Sequence, residues 1–203
     1  MPYPELQAVI FDLDGTLVDS RLDFAAMRRE LTAPESLGLL EYVETLASER
    51  EKQVAMDVIH RHEMAGAEAA TWMPGAEALL HELHGQGLPL AIVTRNSRRA
   101  AQLTMQRLAM PAVLLKARED AAPKPDPEAL LMVAAEFRLA PQYCAYVGDF
   151  RYDLEAAERA GMLPVLYVGD APVASEHRDH PWVLRDFSDL ADWVKPDALR
   201  RPA

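Results

Sequence analysis

The chain reads as an α/β protein: a doubly wound, mainly parallel sheet with helices on both faces, and a small all-helical segment inserted after the first strand. Two observations predict this. Short apolar runs alternate with helical patterns along most of the 203 residues, and strands alternating with helices imply βαβ units around a parallel sheet. The stretch from Val18 to Trp72 breaks that alternation, running helix after helix with no convincing strand.

The elements follow in order. Ala8 to Phe11 is apolar throughout, as in a strand buried on both faces. In the insertion, Phe24 to Leu31, Leu37 to Ser48 and Val54 to Ala70 are predicted helices. Met27, Leu31, Leu40, Val43, Leu46, Val54, Met56, Val58 and Ile59 supply their packing positions, and Glu49-Arg50-Glu51-Lys52 a solvated face. Pro74-Gly75 marks the return to the core. Further strands are expected at Leu88 to Val93, Ala112 to Leu115, Tyr143 to Val147, Leu163 to Val168 and, more weakly, Trp182 to Leu184. Helices are expected at Ala76 to Leu83, Ser97 to Leu108, Pro127 to Leu139 and Leu154 to Ala160, with Gly87 and Gly161 at C-caps. Residues 1–17 and 73–203 thus form the α/β core, residues 18–72 the helical unit, and Arg200 to Ala203 a frayed tail.

A net charge of −11 argues against a general nucleic-acid binder and against attraction to anionic membranes. No apolar run approaches the roughly 18 residues that span a bilayer, and Met1-Pro2-Tyr3-Pro4-Glu5 lacks a secretion-signal pattern. The single cysteine, Cys144, sits in an apolar run and reads as core. It supports neither a disulfide nor a cysteine zinc site within one chain, which suits the cytoplasm. His60 and His62 point to different sides of a helix, and His81 and His84 lie away from the leucine side, so no histidine is read as a metal ligand. Tyr42, Tyr152, Tyr167, Trp182 and Trp193 form no stacking ladder for nucleic acid. No feature sets an oligomeric state.

The chemistry-bearing residues cluster at strand ends. Asp12 and Asp14 follow the first strand, where open α/β sheets bind ligands. Two carboxylates about 4 Å apart repel by on the order of 4 kcal/mol at an effective dielectric near 20. A cation or a retained proton relieves this; an Asp-rich turn would explain the same residues. Thr94, Arg95, Asn96 and Ser97 end the second core strand and open a helix, fitting an anion cradle or a helix cap, or both. Pro123-Lys124-Pro125 holds a lysine in restricted backbone, though a solvent-facing lysine reads the same way. Asp149 and Asp153 follow the fourth core strand, where one of them could be an N-cap. Four acids at one sheet edge call for a hard divalent cation with oxygen ligands, most simply Mg²⁺.

Phe11-Asp12-Leu13-Asp14-Gly15-Thr16, then Thr94, then Lys124-Pro125, then Gly148-Asp149 through Asp153, resemble in order the four motifs of the haloacid dehalogenase superfamily. The resemblance spans nearly the whole chain and implies a Rossmann-like core. The insertion is similar to the cap of the subgroup holding phosphoglycolate phosphatases and β-phosphoglucomutases, but shorter. The resemblance implies Asp12 as nucleophile and Asp14 as general acid and base. It implies Leu13, Gly15, Thr94 and Lys124 at the phosphate, and Mg²⁺ on Asp12, Asp149 and the Asp14 carbonyl. Asp153 would hold a metal-bound water or orient Lys124. An acid at Asp14 favours an oxygen leaving group over halide, hence a phosphatase. The alternatives are a phosphomutase sharing the aspartyl-phosphate, or a non-catalytic phosphometabolite-binding module. Phosphoglycolate, a sugar phosphate, a nucleotide and pyrophosphate are all compatible substrates. Arg95, Asn96, Arg118 and Arg21 are possible contacts to them, with Arg28 and Arg29 behind.

Overall fold

A computed structural model describes residues 5–194; the opening tetrapeptide and the tail from 195 lie outside the described residues. Strand β1 (Ala8–Phe11) leads into a turn and the two-residue strand β2 (Val18–Asp19). Three helices follow: α1 (Phe24–Leu31), α2 (Leu39–Glu44) and α3 (Glu49–Ala69). Strand β3 (Thr71–Trp72) then pairs antiparallel with β2. This two-stranded ribbon corrects the expectation of a strand-free insertion; each strand is only two residues long, too short for a period to register in the sequence. It ties the beginning of the helical segment to its end.

The rest alternates. Helix α4 (Ala76–Gly85), β4 (Leu90–Val93), α5 (Arg98–Arg107), β5 (Leu114–Lys116) and α6 (Glu128–Phe137) come first. Then come β6 (Cys144–Gly148), α7 (Arg151–Ala160), β7 (Leu163–Tyr167), β8 (Val183–Leu184) and α8 (Phe187–Trp193). The main sheet is parallel throughout, in the order β5-β4-β1-β6-β7-β8. β1 lies between β4 and β6, so the carboxyl ends of these three strands open side by side. The chain order reverses at β1, the position where such sheets bind ligands.

Every side chain of β1, β4 and β6 is buried. One face of the sheet packs Val9, Phe11 and Ile92 under α4 and α8. The other packs Ile10, Val93 and Tyr146 under α6 and α7. Burying each such large side chain is worth about 1.5–3 kcal/mol. Cys144 belongs to the second face, and burial pushes its thiol up to about 11.

The helical segment carries its own cluster, in which Met27, Leu39, Val43, Ala55 and Ile59 meet. Helix α3 starts five residues before the expected Val54, because Ser48 and Glu51 form a capping box. Glu49 to Lys52 are therefore its first turn. Val54, expected to pack, is 58% exposed, since the buried stripe runs through Ala55, Ile59 and Ala67 instead. Helix α7 likewise begins at Arg151, three residues early, which brings Asp153 into its first turn.

Candidate active site

Asp12 follows β1, and its backbone N–H donates to the Val147 carbonyl of β6 at 2.8 Å. Its carboxylate is buried, and Oδ1 accepts from Lys124 Nζ at 2.7 Å. Lys124 comes from the loop before α6 and is 4% exposed. Its ammonium also donates to Asp153 Oδ1 at 2.6 Å and to the Tyr146 hydroxyl at 2.7 Å. Asp153 is pinned from its other side, where Oδ2 accepts the Phe150 N–H at 3.0 Å. Thus Asp12 after β1, Tyr146 within β6 and Asp153 in the first turn of α7 meet on one ammonium group.

Two glycines make room for this convergence. Gly15 has φ of +85°, and a Cβ there would run into the Asp149 carboxylate. At Gly148 a Cβ would collide with the Asp153 side chain. Asp149 reaches Thr16 Oγ1, which donates to it at 3.4 Å. Asp149 lines the cavity and is exposed to it.

Oxygens of Asp12, Asp149 and Asp153 lie within 4.8 Å of one another. Three carboxylates thus face one ammonium. Burial, with Asp153 and Asp149 adding to it, pushes the Asp12 carboxyl well above its usual range although Lys124 opposes the shift. Burial and the Asp153 charge likewise push Asp149 up to about 6. For Lys124, burial pulls its pKa down, but Asp12 and Asp153 outweigh that and hold it above the ordinary lysine value. The cluster holds more negative charge than Lys124 balances, which is the condition a hard divalent ion relieves. Asp153, expected to hold a metal-bound water or to orient Lys124, offers a carboxylate oxygen of its own to this group.

Asp14 instead accepts from Asn96 Nδ2 at 3.0 Å through Oδ2, while its Oδ1 is buried without a partner. Asn96, expected at the substrate, is therefore spent on Asp14, and its Oδ1 accepts the Ser97 N–H at 2.8 Å. Thr94 lines the cavity, and its Oγ1 accepts the Asn96 N–H at 3.0 Å. Ser97 caps α5, accepting from Ala100 N at 3.4 Å. Leu13 and Gly15 do not line the cavity. The Gly15 N–H, expected at a phosphate, donates to the Val18 carbonyl at 2.8 Å, because the turn into β2 uses it.

These groups floor a cavity of about 440 Å³ roofed by the helical segment. Two arginines cross from floor to roof. Arg95 donates to Glu41 of α2 at 2.6 Å and to the Lys124 carbonyl at 2.7 Å, with its guanidinium over the Tyr152 ring. Arg118 grips both oxygens of Glu63 of α3, at 2.6 and 3.2 Å. Arg28 lines the cavity but donates to the Pro34 and Leu37 carbonyls at 2.7 and 2.6 Å. Arg21 is a correction: the backbone turns there (φ 50°), its side chain is 70% exposed beside Asp19, and it does not line the cavity. Arg29 does not line it either.

Three participants escaped the sequence reading. Tyr146 carried a signal: a phenol inside an apolar buried strand needs a partner for its hydroxyl. Glu63 carried another, as an acid on the buried stripe of α3 four residues after Ile59. Glu41 carried none.

Residues 6–161 match the family profile of haloacid dehalogenase-like hydrolases. The chain is similar to hexitol phosphatase A of Escherichia coli, 34% identical over 157 residues covering 69% of this chain and 73% of that protein. It is also similar to the phosphoglycolate phosphatase of Xylella fastidiosa strain Temecula1, 32% identical over a 219-residue alignment covering 97% of this chain and 92% of that one. A solved hydrolase from Pseudomonas syringae shares the fold, with a TM-score of 0.76 at 23% identity, covering 92% of this chain and 96% of that one.

Proposed function

The chain belongs to the haloacid dehalogenase-like hydrolases, and on that premise we propose that it is a Mg²⁺-dependent phosphatase acting on a small phosphorylated metabolite through an aspartyl-phosphate at Asp12. The observation that carries this is the cluster of buried Asp12, Lys124 and Asp153 with the cavity-facing Asp149, beside an Asp14 with one unpartnered oxygen.

Asp12 attacks phosphorus with a carboxylate oxygen, and the bond from phosphorus to the substrate alcohol breaks. Asp14, held by Asn96, gives its proton to the departing oxygen. In the second half Asp14 takes a proton from water, the water oxygen attacks the phosphoryl group, and the Asp12–phosphorus bond breaks. Lys124 keeps Asp12 in place, and Asp153 and Tyr146 keep Lys124 in place. Thr94 offers a hydroxyl at the same cavity wall. Little covalent work is asked of the protein in phosphoryl transfer, so positioning and positive charge supply most of the acceleration. Asp12, Asp149 and Asp153, with the Asp14 backbone carbonyl, would hold Mg²⁺, which when bound neutralises charge at the transferring group. Residues 18–72 are read as the cap that shields this chemistry from water. No helix among the described residues is long and apolar enough to cross a membrane; the buried thiol of Cys144 fits a cytoplasmic setting.

The test is phosphate release from p-nitrophenyl phosphate. Asp12→Asn is expected to lower kcat by roughly 10⁴-fold, and EDTA to abolish turnover until Mg²⁺ is restored. Turnover persisting in Asp12→Asn, or undiminished by EDTA, overturns the assignment.

A further inference from the structure

Much of the cavity wall is apolar, and three of its arginines, Arg28, Arg95 and Arg118, are already held; a fourth, Arg151, is exposed and donates to the Tyr152 hydroxyl beside the Phe150 ring. Six large hydrophobic side chains are left exposed among the described residues, and three of them, Phe24, Leu37 and Phe150, line this one cavity. Exposed apolar groups gathered at one place mark a binding surface, whereas scattered ones mark nothing. Behind them the wall continues through Leu22, Met27, Leu39, Leu40 and Ile59.

The charged groups of the roof point the same way. Arg95 is held by Glu41, Arg118 by Glu63, and Arg28 by two backbone carbonyls. A substrate carboxylate or second phosphate at Arg95 or Arg118 would have to break an ion pair and strand a partly buried acid, while Arg151, which has no acid partner among the described residues, lies across the Phe150 and Tyr152 rings. Such an anion would also approach Glu35, an exposed carboxylate in the same wall. A polyhydroxylated chain would meet leucine and phenylalanine surface in place of the donors and acceptors it needs.

We infer that the alcohol released by this enzyme carries an apolar body, alkyl or aryl, which seats against Phe24, Leu37 and Phe150 while the phosphate lies at Asp12 and Lys124. This rests on the phosphatase reading and narrows it to one substrate class. The cavity of about 440 Å³ is of the size that encloses small organic ligands.

The experiment measures kcat/KM with Mg²⁺ for methyl, butyl and hexyl phosphate, beside phosphoglycolate and a hexitol phosphate. Leaving-group basicity hardly changes along the longer alkyl esters, so a rise with length reports burial. The expected rise is roughly threefold per methylene, with hexyl phosphate at least tenfold above phosphoglycolate. Phe24→Ser and Leu37→Ser, both at exposed positions, are expected to cost more on hexyl than on methyl phosphate, with folding followed by thermal melting. A flat or falling series, a preference for phosphoglycolate or the hexitol ester, or equal losses on both alkyl esters overturns the inference and leaves the phosphatase reading standing. No turnover of any ester by the wild-type protein overturns both.

Discussion

The floor and the roof of the cavity are built from the same kinds of charged groups, arranged in opposite ways. On the floor, Asp12 and Asp153 share the single ammonium of Lys124, and Asp149 adds a third carboxylate beside them. In the roof each bridging arginine has its own acid, Arg95 with Glu41 and Arg118 with Glu63. The floor therefore carries uncompensated charge, and the carboxyl pKa values of Asp12 and Asp149 move upward. The roof is balanced pair by pair. Imbalance marks the half of a site that must accept something further, a cation or a phosphoryl group. Balance marks the half that holds the walls together.

The largest effect is expected from removing the one cation of the floor. Lys124→Met leaves Asp12 and Asp153 buried without compensation, a loss of about 3–5 kcal/mol by denaturant unfolding. Added Mg²⁺ should recover part of that loss; no destabilisation would mean the floor carries no real excess charge.

A smaller loss, about 2 kcal/mol, is expected from Glu63→Gln, which leaves the Arg118 guanidinium part-buried without its acid. If the roof pairs only hold the walls, KM rises more than kcat falls. A kcat loss with unchanged KM would place Arg118 in the chemistry and erase the contrast.

Next comes pH. The Asp149 carboxyl is raised to about 6 in the folded chain. The stability linked to it is present below the ordinary carboxylate pKa near 4 and is lost as pH rises through about 6 in the metal-free protein. Mg²⁺ needs the ionised form, so its apparent affinity should fall about tenfold per pH unit below that point. The rise in Tm on adding Mg²⁺ should therefore grow between pH 5 and pH 7, and a pH-independent rise would refute it.

The smallest effect belongs to Tyr146→Phe. It removes one hydroxyl from Lys124 and Asp153, costing about 1 kcal/mol and a few-fold in kcat. A null result would show that two acids alone position the lysine.

The floor was far more legible in the sequence than the roof. Asp12, Thr94 and Asp149 each follow an apolar run, and the order of runs and helices already implied a parallel sheet. The helical segment was recognisable as helical, but its boundaries slipped where caps decided them, as at Ser48. Asn96 was read as a substrate contact and is spent on Asp14. Arg21 was read as a contact and faces solvent, because nothing local distinguishes it from its neighbour Leu22, which lines the cavity.

By itself the sequence determined that Asp12, Asp149 and Asp153 would come to one sheet edge. Parallel strands deliver whatever follows them to a common edge, whatever the intervening loops contain. Tertiary structure alone decided the partners: Glu63 meets Arg118 across 55 positions and Glu41 meets Arg95 across 54, and nothing in the chain pairs either acid with its arginine. It also decided the energies, because a carboxylate departs from ordinary behaviour only when neighbours take its water away and leave its charge unbalanced.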